Sequence, residues 1–173
     1  MPTIDLNTLL LFVAAATVIA ISPGPGILYV AARTLAGGRP EGLASSFGTS
    51  LGGLVHVAGG AIGLSALVLA SAEMFTVLKL IGAAYLFWLG IKVVREASPK
   101  YPVNATRTGT GRAFREGIVV EALNPKTAAF FRAFIPQFMD PSQKVAAQLV
   151  IFGMFSVARN TAADIVVTCT AAG

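Results

Sequence analysis

Apolar residues occupy most of this chain and are separated by short polar segments. A membrane-spanning helix needs about 20 mostly apolar residues. The sequence contains five segments of this kind, residues 6–35, 43–70, 74–94, 114–139 and 145–172. Turn-forming residues separate most of them, and one long polar loop lies between the third and the fourth. The pattern predicts an all-α polytopic integral membrane protein.

The first and fourth segments are interrupted by proline. The interruptions are Ser22, Pro23, Gly24 and Pro25 in the first segment, and Asn124, Pro125 and Lys126 in the fourth. Proline lacks a backbone donor and clashes with the carbonyl four residues earlier. In lipid, backbone groups freed in this way must find a partner inside the protein or line a cavity. Matched breaks in two halves are typical of a transporter site between repeats, although each break alone is also compatible with a simple proline kink.

The two halves share one layout. A shift of 102 residues carries Pro23 onto Pro125 and Phe12 onto Phe114. Three helices per half would insert the halves in opposite orientations, as an inverted three-plus-three repeat. The same shift places a sixth helix near position 174, beyond the last residue given, so the sequence predicts this fold without its sixth helix. The predicted single transmembrane domain, 1–173, comprises repeat one (6–94), a cytoplasmic loop (95–113) and a partial repeat two (114–173).

Composition and charge agree with a membrane protein. Charged residues make up 12% of the chain, against about 25% in soluble domains. The net charge of +5 is better explained by the positive-inside rule than by nucleic-acid binding. An external N-terminus places eight basic residues on the cytoplasmic side, namely Arg33, Arg39, Lys92, Arg95, Lys100, Arg107, Arg112 and Arg115. Residues 1–8 contain no Lys or Arg, so we expect a retained first helix rather than a signal peptide.

Several polar residues lie inside the predicted spans and are candidates for transport chemistry. Glu121 stands one turn before the second break, and charged groups in spans usually face the interior and mark pathways. Lys126 would pair with Glu121 or with a substrate carboxylate, and a purely structural pair is the alternative. The half-helix after the first break offers free backbone N–H groups to an anionic group. Asn160 and Asp164 share a helix face one turn apart.

His56 is the single histidine and lies near the middle of the second span. Gly48, Gly52, His56 and Gly60 recur at a spacing of four, and Gly59 with Gly63 forms a second small-residue pair. Such stripes indicate close helix contacts. His56 is therefore expected to point inward, either as a proton carrier together with Glu121, Asn160 and Asp164, or as a core histidine bonded across helices. The single cysteine and the lack of a Cys/His cluster predict no disulfide, metal or cofactor.

An ordered series of short motifs resembles the lysine-exporter/RhtB family of bacterial amino-acid exporters. The series is Ser22-Pro23-Gly24-Pro25, Gly37-Gly38-Arg39-Pro40-Glu41-Gly42, Gly48, Gly52 and His56, Leu78 to Leu86, Phe114-Arg115-Glu116-Gly117, Leu123-Asn124-Pro125-Lys126, Pro136-Gln137-Phe138 and Asn160-Thr161-Ala162-Ala163-Asp164. The resemblance covers nearly the whole chain. It implies a six-helix exporter of the bacterial inner membrane, driven by the proton gradient, not an enzyme, and acting as an oligomer, with a homodimer expected.

By this resemblance the breaks at Pro23 to Pro25 and at Asn124 to Lys126 would form a central site for an amino-acid-like substrate. Two departures stand out: family members continue for about 30 further residues, and Arg159 occupies a position where an apolar residue is expected, so that Asn160 or Asp164 must partner it. The alternatives are an inactive or partner-dependent truncated transporter fragment, a membrane structural subunit, or a membrane enzyme.

Overall fold

The computed structural model describes residues 5–21, 24–95 and 106–172, and within these ranges all regular structure is helical. The helices are α1 (Leu6–Ile21), α2 (Pro25–Ala70), α3 (Ala72–Arg95), α4 (Thr110–Ala122), α5 (Pro125–Ala129) and α6 (Val145–Ala171). Two helical segments, Pro25–Ala66 and Val145–Ala171, are long and apolar enough to cross a membrane, and Leu6–Ala20 is a shorter apolar helix. The predicted all-helical fold is therefore confirmed for the part of the chain that the structure describes.

Helix α2 bends sharply at Gly38, whose φ is 72° and ψ is −168°. This backbone region is open almost only to glycine, and Pro40 follows two residues later, where it cannot continue the hydrogen bonds of the preceding helix. The bend divides α2 into a first arm, residues 25–37, and a second arm, residues 39–70. The predicted turn between the first two spans therefore exists as a bend made by one glycine.

Contacts with α4 show that the two arms run in opposite directions. Gly26, at the start of the first arm, and Gly52, in the second arm, both lie against Glu121 near the end of α4. Just past the bend, Glu41 instead accepts a hydrogen bond from the backbone N–H of Thr108, which precedes α4. The first arm is therefore antiparallel to α4, and the second arm is parallel to it.

The second arm and α4 meet backbone to backbone. A Cβ atom on Gly117 would lie 2.8 Å from the carbonyl oxygen of Ser45, and one on Gly52 would lie 3.0 Å from the backbone nitrogen of Ala122. A Cβ atom on Gly48 would collide with the carbonyl oxygen of Phe114. The glycine stripe predicted from the sequence is confirmed at Gly48 and Gly52, and we call this contact the glycine seam.

The other glycines of the stripe behave differently. Gly60 faces Leu149 of α6, whose side chain would lie 3.1 Å from an added Cβ. Gly59 and Gly63 have nothing within 4 Å among the described residues. The prediction that Gly59 and Gly63 form a second close contact was wrong for this part of the chain, because their face of the second arm meets no neighbouring helix there.

The segment after α5 departs from a regular helix. Phe130–Phe134 forms a π-helical turn, in which the N–H of Ile135 bonds to the carbonyl of Phe130. Ile135–Phe138 then tightens into a 3₁₀ turn. The apolar run of residues 114–139 predicted one helix from the second break to residue 139. Pro136 explains the difference, because it lacks a donor and forces the hydrogen-bond pattern to change around it.

Aromatic rings fill the core at the end of the molecule opposite to Thr108, beyond the second break. Phe12 of α1 lies at the centre of this aromatic cluster and is fully buried. Its ring centroid is 4.6 Å from that of Phe152, 5.3 Å from that of Phe138 and 5.9 Å from that of Phe134. The cluster joins α1, the irregular segment after α5 and the start of α6.

Candidate functional site

The two breaks, which lie 102 residues apart in sequence, meet in space. A Cβ atom on Gly24 would lie 2.8 Å from Cδ of Lys126, so the lysine side chain crosses the first break directly. A side chain on Gly26 would collide with the Glu121 carboxylate and would lie 3.6 Å from the Asn124 amide nitrogen. A Cβ at either position would displace these polar side chains from the space that they occupy.

Glu121 is the centre of a hydrogen-bond network on the α4 side. Its carboxylate is buried and accepts bonds from the Asn124 amide at 2.9 Å and from the Thr127 hydroxyl at 2.6 Å. Asn124 also caps α5, since its side-chain oxygen accepts the backbone N–H of Lys126 at 3.0 Å. The break between α4 and α5 therefore presents an oriented carboxylate instead of an unpaired helix end.

The second arm contributes His56 to the same break. Its Nε2 lies 2.9 Å from the carbonyl oxygen of Glu121, the acceptor to which Pro125 has no N–H to donate. A carbonyl oxygen only accepts, so His56 holds its proton on Nε2 in this bond. The ring also stacks on Phe131, with centroids 5.7 Å apart. This geometry matches the core histidine bonded across helices; a role for His56 in proton transfer stays a prediction.

Helix α6 supplies the opposite wall. The carboxylate of Asp164 is buried and accepts a bond from the Thr49 hydroxyl of the second arm at 2.9 Å. Asn160, one turn earlier, lines the same space. Arg159 donates to the side-chain oxygen of Asn160 at 3.2 Å. Of the two partners expected for Arg159, the structure thus gives Asn160, and Asp164 bonds to Thr49.

These groups enclose a cavity of about 70 Å³. Its polar lining includes Glu121, Asn124, Lys126, Asn160 and Asp164. A volume of this size has room for a few water molecules, whereas pockets for small-molecule ligands usually measure about 300–1,000 Å³. The cavity is smaller than such pockets, so side chains or helices must move before a substrate the size of an amino acid fits.

The predicted site residues fall into three groups. Gly24, Asn124 and Lys126 line the cavity, together with three of the four proton-coupling candidates, Glu121, Asn160 and Asp164. Pro25 and Pro125 are the first residues of α2 and α5, so they shape the backbone rather than the cavity wall. Ser22 and Pro23 lie outside the described residues.

The cavity is also lined by Thr49, Ser50 and Thr127, which the sequence pattern did not single out. Thr127 follows Glu121 and Asn124 at a spacing of three, and this polar periodicity directly around the break is a signal that identifies it. Thr49 and Ser50 lie beside the glycine stripe, but hydroxyl residues are common at helix contacts in membranes. For those two residues, only the fold distinguishes the cavity wall from ordinary packing.

Comparison with known proteins agrees with this architecture. The sequence model of the family described as "LysE type translocator" matches residues 17–172. The chain is 33% identical to an uncharacterized membrane protein of Vibrio cholerae over 157 residues, covering 88% of this chain and 75% of that protein. It is 33% identical to a homoserine/homoserine lactone efflux protein of Salmonella typhimurium over 147 residues, covering 84% and 71%.

A threonine efflux protein of Escherichia coli is 27% identical over 155 residues, covering 86% of this chain and 75% of that protein. No solved structure matches the chain significantly. The match to the family model extends over both breaks, the glycine seam and the cavity. This chain therefore belongs to the LysE type translocator family of membrane proteins.

Proposed function

We propose that this protein exports amino acids or closely related small metabolites across the bacterial inner membrane, in exchange for protons. The observation that carries the proposal is the meeting of the two breaks, which sets Lys126 in one cavity with the carboxylates of Glu121 and Asp164. The names of two relatives, a homoserine/homoserine lactone efflux protein and a threonine efflux protein, support an amino-acid-like substrate.

The charges of the cavity suit a zwitterion. The substrate carboxylate would bind Lys126 and the N-terminal N–H groups of α2, which begins at Pro25 beside the cavity. The substrate ammonium would bind Glu121 or Asp164. The cavity holds two carboxyl groups, those of Glu121 and Asp164, and one lysine, Lys126. When one carboxyl group binds the substrate ammonium, the other is left to exchange a proton with solvent. Asn160 has no titratable group and would orient the substrate or Asp164, and His56 remains a candidate through its bond to Glu121.

An inverted repeat is part of the proposal. It is supported by the opposite directions of the first arm, which leads toward the Thr108 end of the molecule, and of α4, which leads away from it. We place the N-terminus outside and the long loop in the cytoplasm, on the basis of the distribution of Lys and Arg. Lipid would surround the exposed apolar side chains, and a homodimer is the assembly expected from the family resemblance.

The test compares two lysine substitutions in cells that express this chain and are loaded with dipeptides. Lys126→Gln removes the charge in the cavity, and Lys144→Gln removes an exposed charge at the start of α6. A lost charge-assisted bond of about 1.5–3 kcal/mol corresponds to about a tenfold or greater loss of substrate affinity. Lys126→Gln is therefore expected to raise the substrate concentration needed for half-maximal efflux by that factor, and Lys144→Gln to leave it unchanged.

Amino-acid efflux that a protonophore abolishes would support the proposed exchange. Stable membrane protein without efflux across a broad amino-acid panel would contradict it. That result would favour a partner-dependent fragment or a structural subunit.

A further inference from the structure

Long polar side chains hold the first arm to α4 at the Gly38 end of the molecule. The Arg33 guanidinium lies 3.3 Å from the Glu116 carboxylate. The Tyr29 hydroxyl donates to the same carboxylate at 3.1 Å, and it lies 3.0 Å from the carbonyl oxygen of Ala113. The Arg33 guanidinium also stacks over the Tyr29 ring, 5.3 Å from its centroid. The two helices are therefore joined here by a salt bridge and its supporting bonds.

The same end is tied to the chain that enters α4. Arg33 donates to the carbonyl of Thr106 at 3.0 Å and to the Thr108 hydroxyl at 2.9 Å. From the other side of the bend, the Glu41 carboxylate accepts the backbone N–H groups of Thr108 and Gly109 at 3.1 and 2.8 Å. Both arms of α2 thus hold the segment that precedes α4.

A layer of hydroxyl groups lies between this end and the cavity. Thr34 of the first arm, Ser46 of the second arm and Thr168 of α6 are each at most 1% exposed. The hydroxyl oxygens of Thr34 and Ser46 both lie 3.4 Å from that of Thr168. Gly42 allows the second arm and α6 to approach closely, since a Cβ there would lie 2.6 Å from the Thr168 methyl carbon. We call these three residues the hydroxyl layer.

The contacts of α4 with the two arms differ in kind. The glycine seam joins α4 to the second arm through backbone atoms, which cannot slide or part without losing dense packing. The first arm is joined to α4 by charged and hydroxyl groups instead, and water can replace those partners. At the opposite end of the cavity, separation would expose the aromatic cluster around Phe12 to water, which is unfavourable. Opening at the Gly38 end by the first arm is therefore the easiest route to the cavity.

We propose that the first arm is a gate that closes the cavity on the Gly38 side, with the Arg33–Glu116 pair as its latch and the hydroxyl layer as its seal. Gly38 and the break before Pro25 bound the moving element. Its role in transport rests on the proposed function, but its movement does not.

The test measures access to the cavity without any substrate. Cys169 is exposed and follows Thr168 directly. Its labelling in the unmodified chain therefore shows first which face of the membrane this end occupies. The assay then uses the full chain with Cys169→Ser and a Ser50→Cys reporter, because Ser50 lines the cavity. A membrane-impermeant maleimide is applied to that face in oriented vesicles, and the labelling rate of the reporter is recorded.

Arg33→Gln is the test variant and Arg112→Gln is its matched control. Both substitutions remove a positively charged partner of the Glu116 carboxylate. Arg112, however, bonds to Glu116 within α4, at 2.7 Å, and its side chain is 69% exposed. Arg33→Gln is expected to raise the labelling rate about tenfold, and Arg112→Gln to leave it unchanged. Equal rates in both variants, or faster labelling only from the opposite face, would overturn the gate.

Glu116→Gln breaks the same latch from α4 and is expected to label as fast as Arg33→Gln, which covers the case where Arg33→Gln does not fold. Failure of the gate is distinct from failure of the proposed function. Fast labelling of the latch variants with no efflux by the unmodified chain would leave the gate in place and remove the exporter. Efflux by the unmodified chain, with unchanged labelling of the latch variants, would support the exporter and remove the gate.

Discussion

Pro125 removes the helical donor to the Glu121 carbonyl, which accepts the backbone N–H of Asn124 at 3.1 Å and lies 2.9 Å from Nε2 of His56. A single hydrogen bond of this kind contributes about 0.5–1.5 kcal/mol to stability. We expect His56→Ala to lower the free energy of unfolding by about that amount and to reduce efflux, whereas His56→Gln keeps a side-chain N–H for the bond and retains efflux. Thermal unfolding in detergent and efflux from loaded cells measure the two effects.

The glutamine variant separates the two interpretations of His56, because glutamine donates a hydrogen bond but does not titrate near neutral pH. If His56→Gln folds as well as the unmodified protein yet loses proton-driven efflux, His56 carries the proton. Retained efflux assigns it the bonding role alone.

Asp164 is the second residue whose role a conservative change can isolate. Asp164→Asn keeps an oxygen that can accept the Thr49 hydroxyl bond of 2.9 Å and removes the exchangeable proton. We expect efflux against a gradient to stop, while exchange of substrate across the membrane continues, since Glu121 remains to bind the substrate ammonium. Uptake of labelled substrate into preloaded proteoliposomes, with and without a pH gradient, measures this. A pH gradient that still accelerates the Asn variant would exclude Asp164 as the proton carrier.

At the scale of elements, the bend in α2 depends on one residue. Gly38→Ala places a Cβ at a φ of 72° and ψ of −168°, which is expected to destabilise the fold by about 1–3 kcal/mol. Gly63→Ala is the matched control, since no atom of the described residues lies within 4 Å of its Cβ position and its helical backbone accepts alanine. The control is expected to gain up to about 1 kcal/mol from the lower entropy of its unfolded chain. Thermal unfolding of both variants in the same detergent tests the contrast, and equal unfolding temperatures would contradict it.

The elements also show where proline acts predictably and where it does not. Pro125 begins a helix that Asn124 caps, as the sequence pattern suggests. Pro136 instead lies within an apolar run, and the chain adapts through a π-helical turn followed by a 3₁₀ turn. Both outcomes satisfy the same backbone requirement in lipid, and Phe12 packs against the irregular segment through Phe134 and Phe138.

At the scale of the whole molecule, the orientation in the membrane can be measured with the native chain. Cys169 is the single cysteine and is exposed, beside Thr168 at the Gly38 end. The positive-inside rule places that end in the cytoplasm. We expect an impermeant maleimide to label Cys169 in inverted membrane vesicles and not in intact cells. Labelling in intact cells and protection in inverted vesicles would reverse the proposed orientation.

The two ends of the cavity differ in chemistry, and this difference belongs to the assembled helices. Charged and hydroxyl groups close the Gly38 end, and aromatic rings close the other. A conformational cycle would therefore expose water-compatible surface at one end and apolar surface at the other. We expect the Gly38 end to open more readily than the aromatic end, which is the property the reporter at Ser50 measures.

The sequence by itself determined the helical class, the two breaks and a turn at Gly37 to Pro40, and the structure placed that turn at Gly38. These features depend on hydropathy and on the backbone limits of proline and glycine, which act over a few residues. It also identified Glu121, Lys126, Asn160 and Asp164 as candidates, because polar groups are rare inside apolar spans.

Only the tertiary structure decided which of these groups meet. It set Lys126 across Gly24, gave the Glu121 carbonyl to His56 and the Asp164 carboxylate to Thr49, and left Gly59 and Gly63 without a neighbouring helix in the described part of the chain. The latch between Arg33 and Glu116 likewise joins residues 83 positions apart. Such pairings depend on the direction and rotation of packed helices, and the local pattern of one helix carries no information about either.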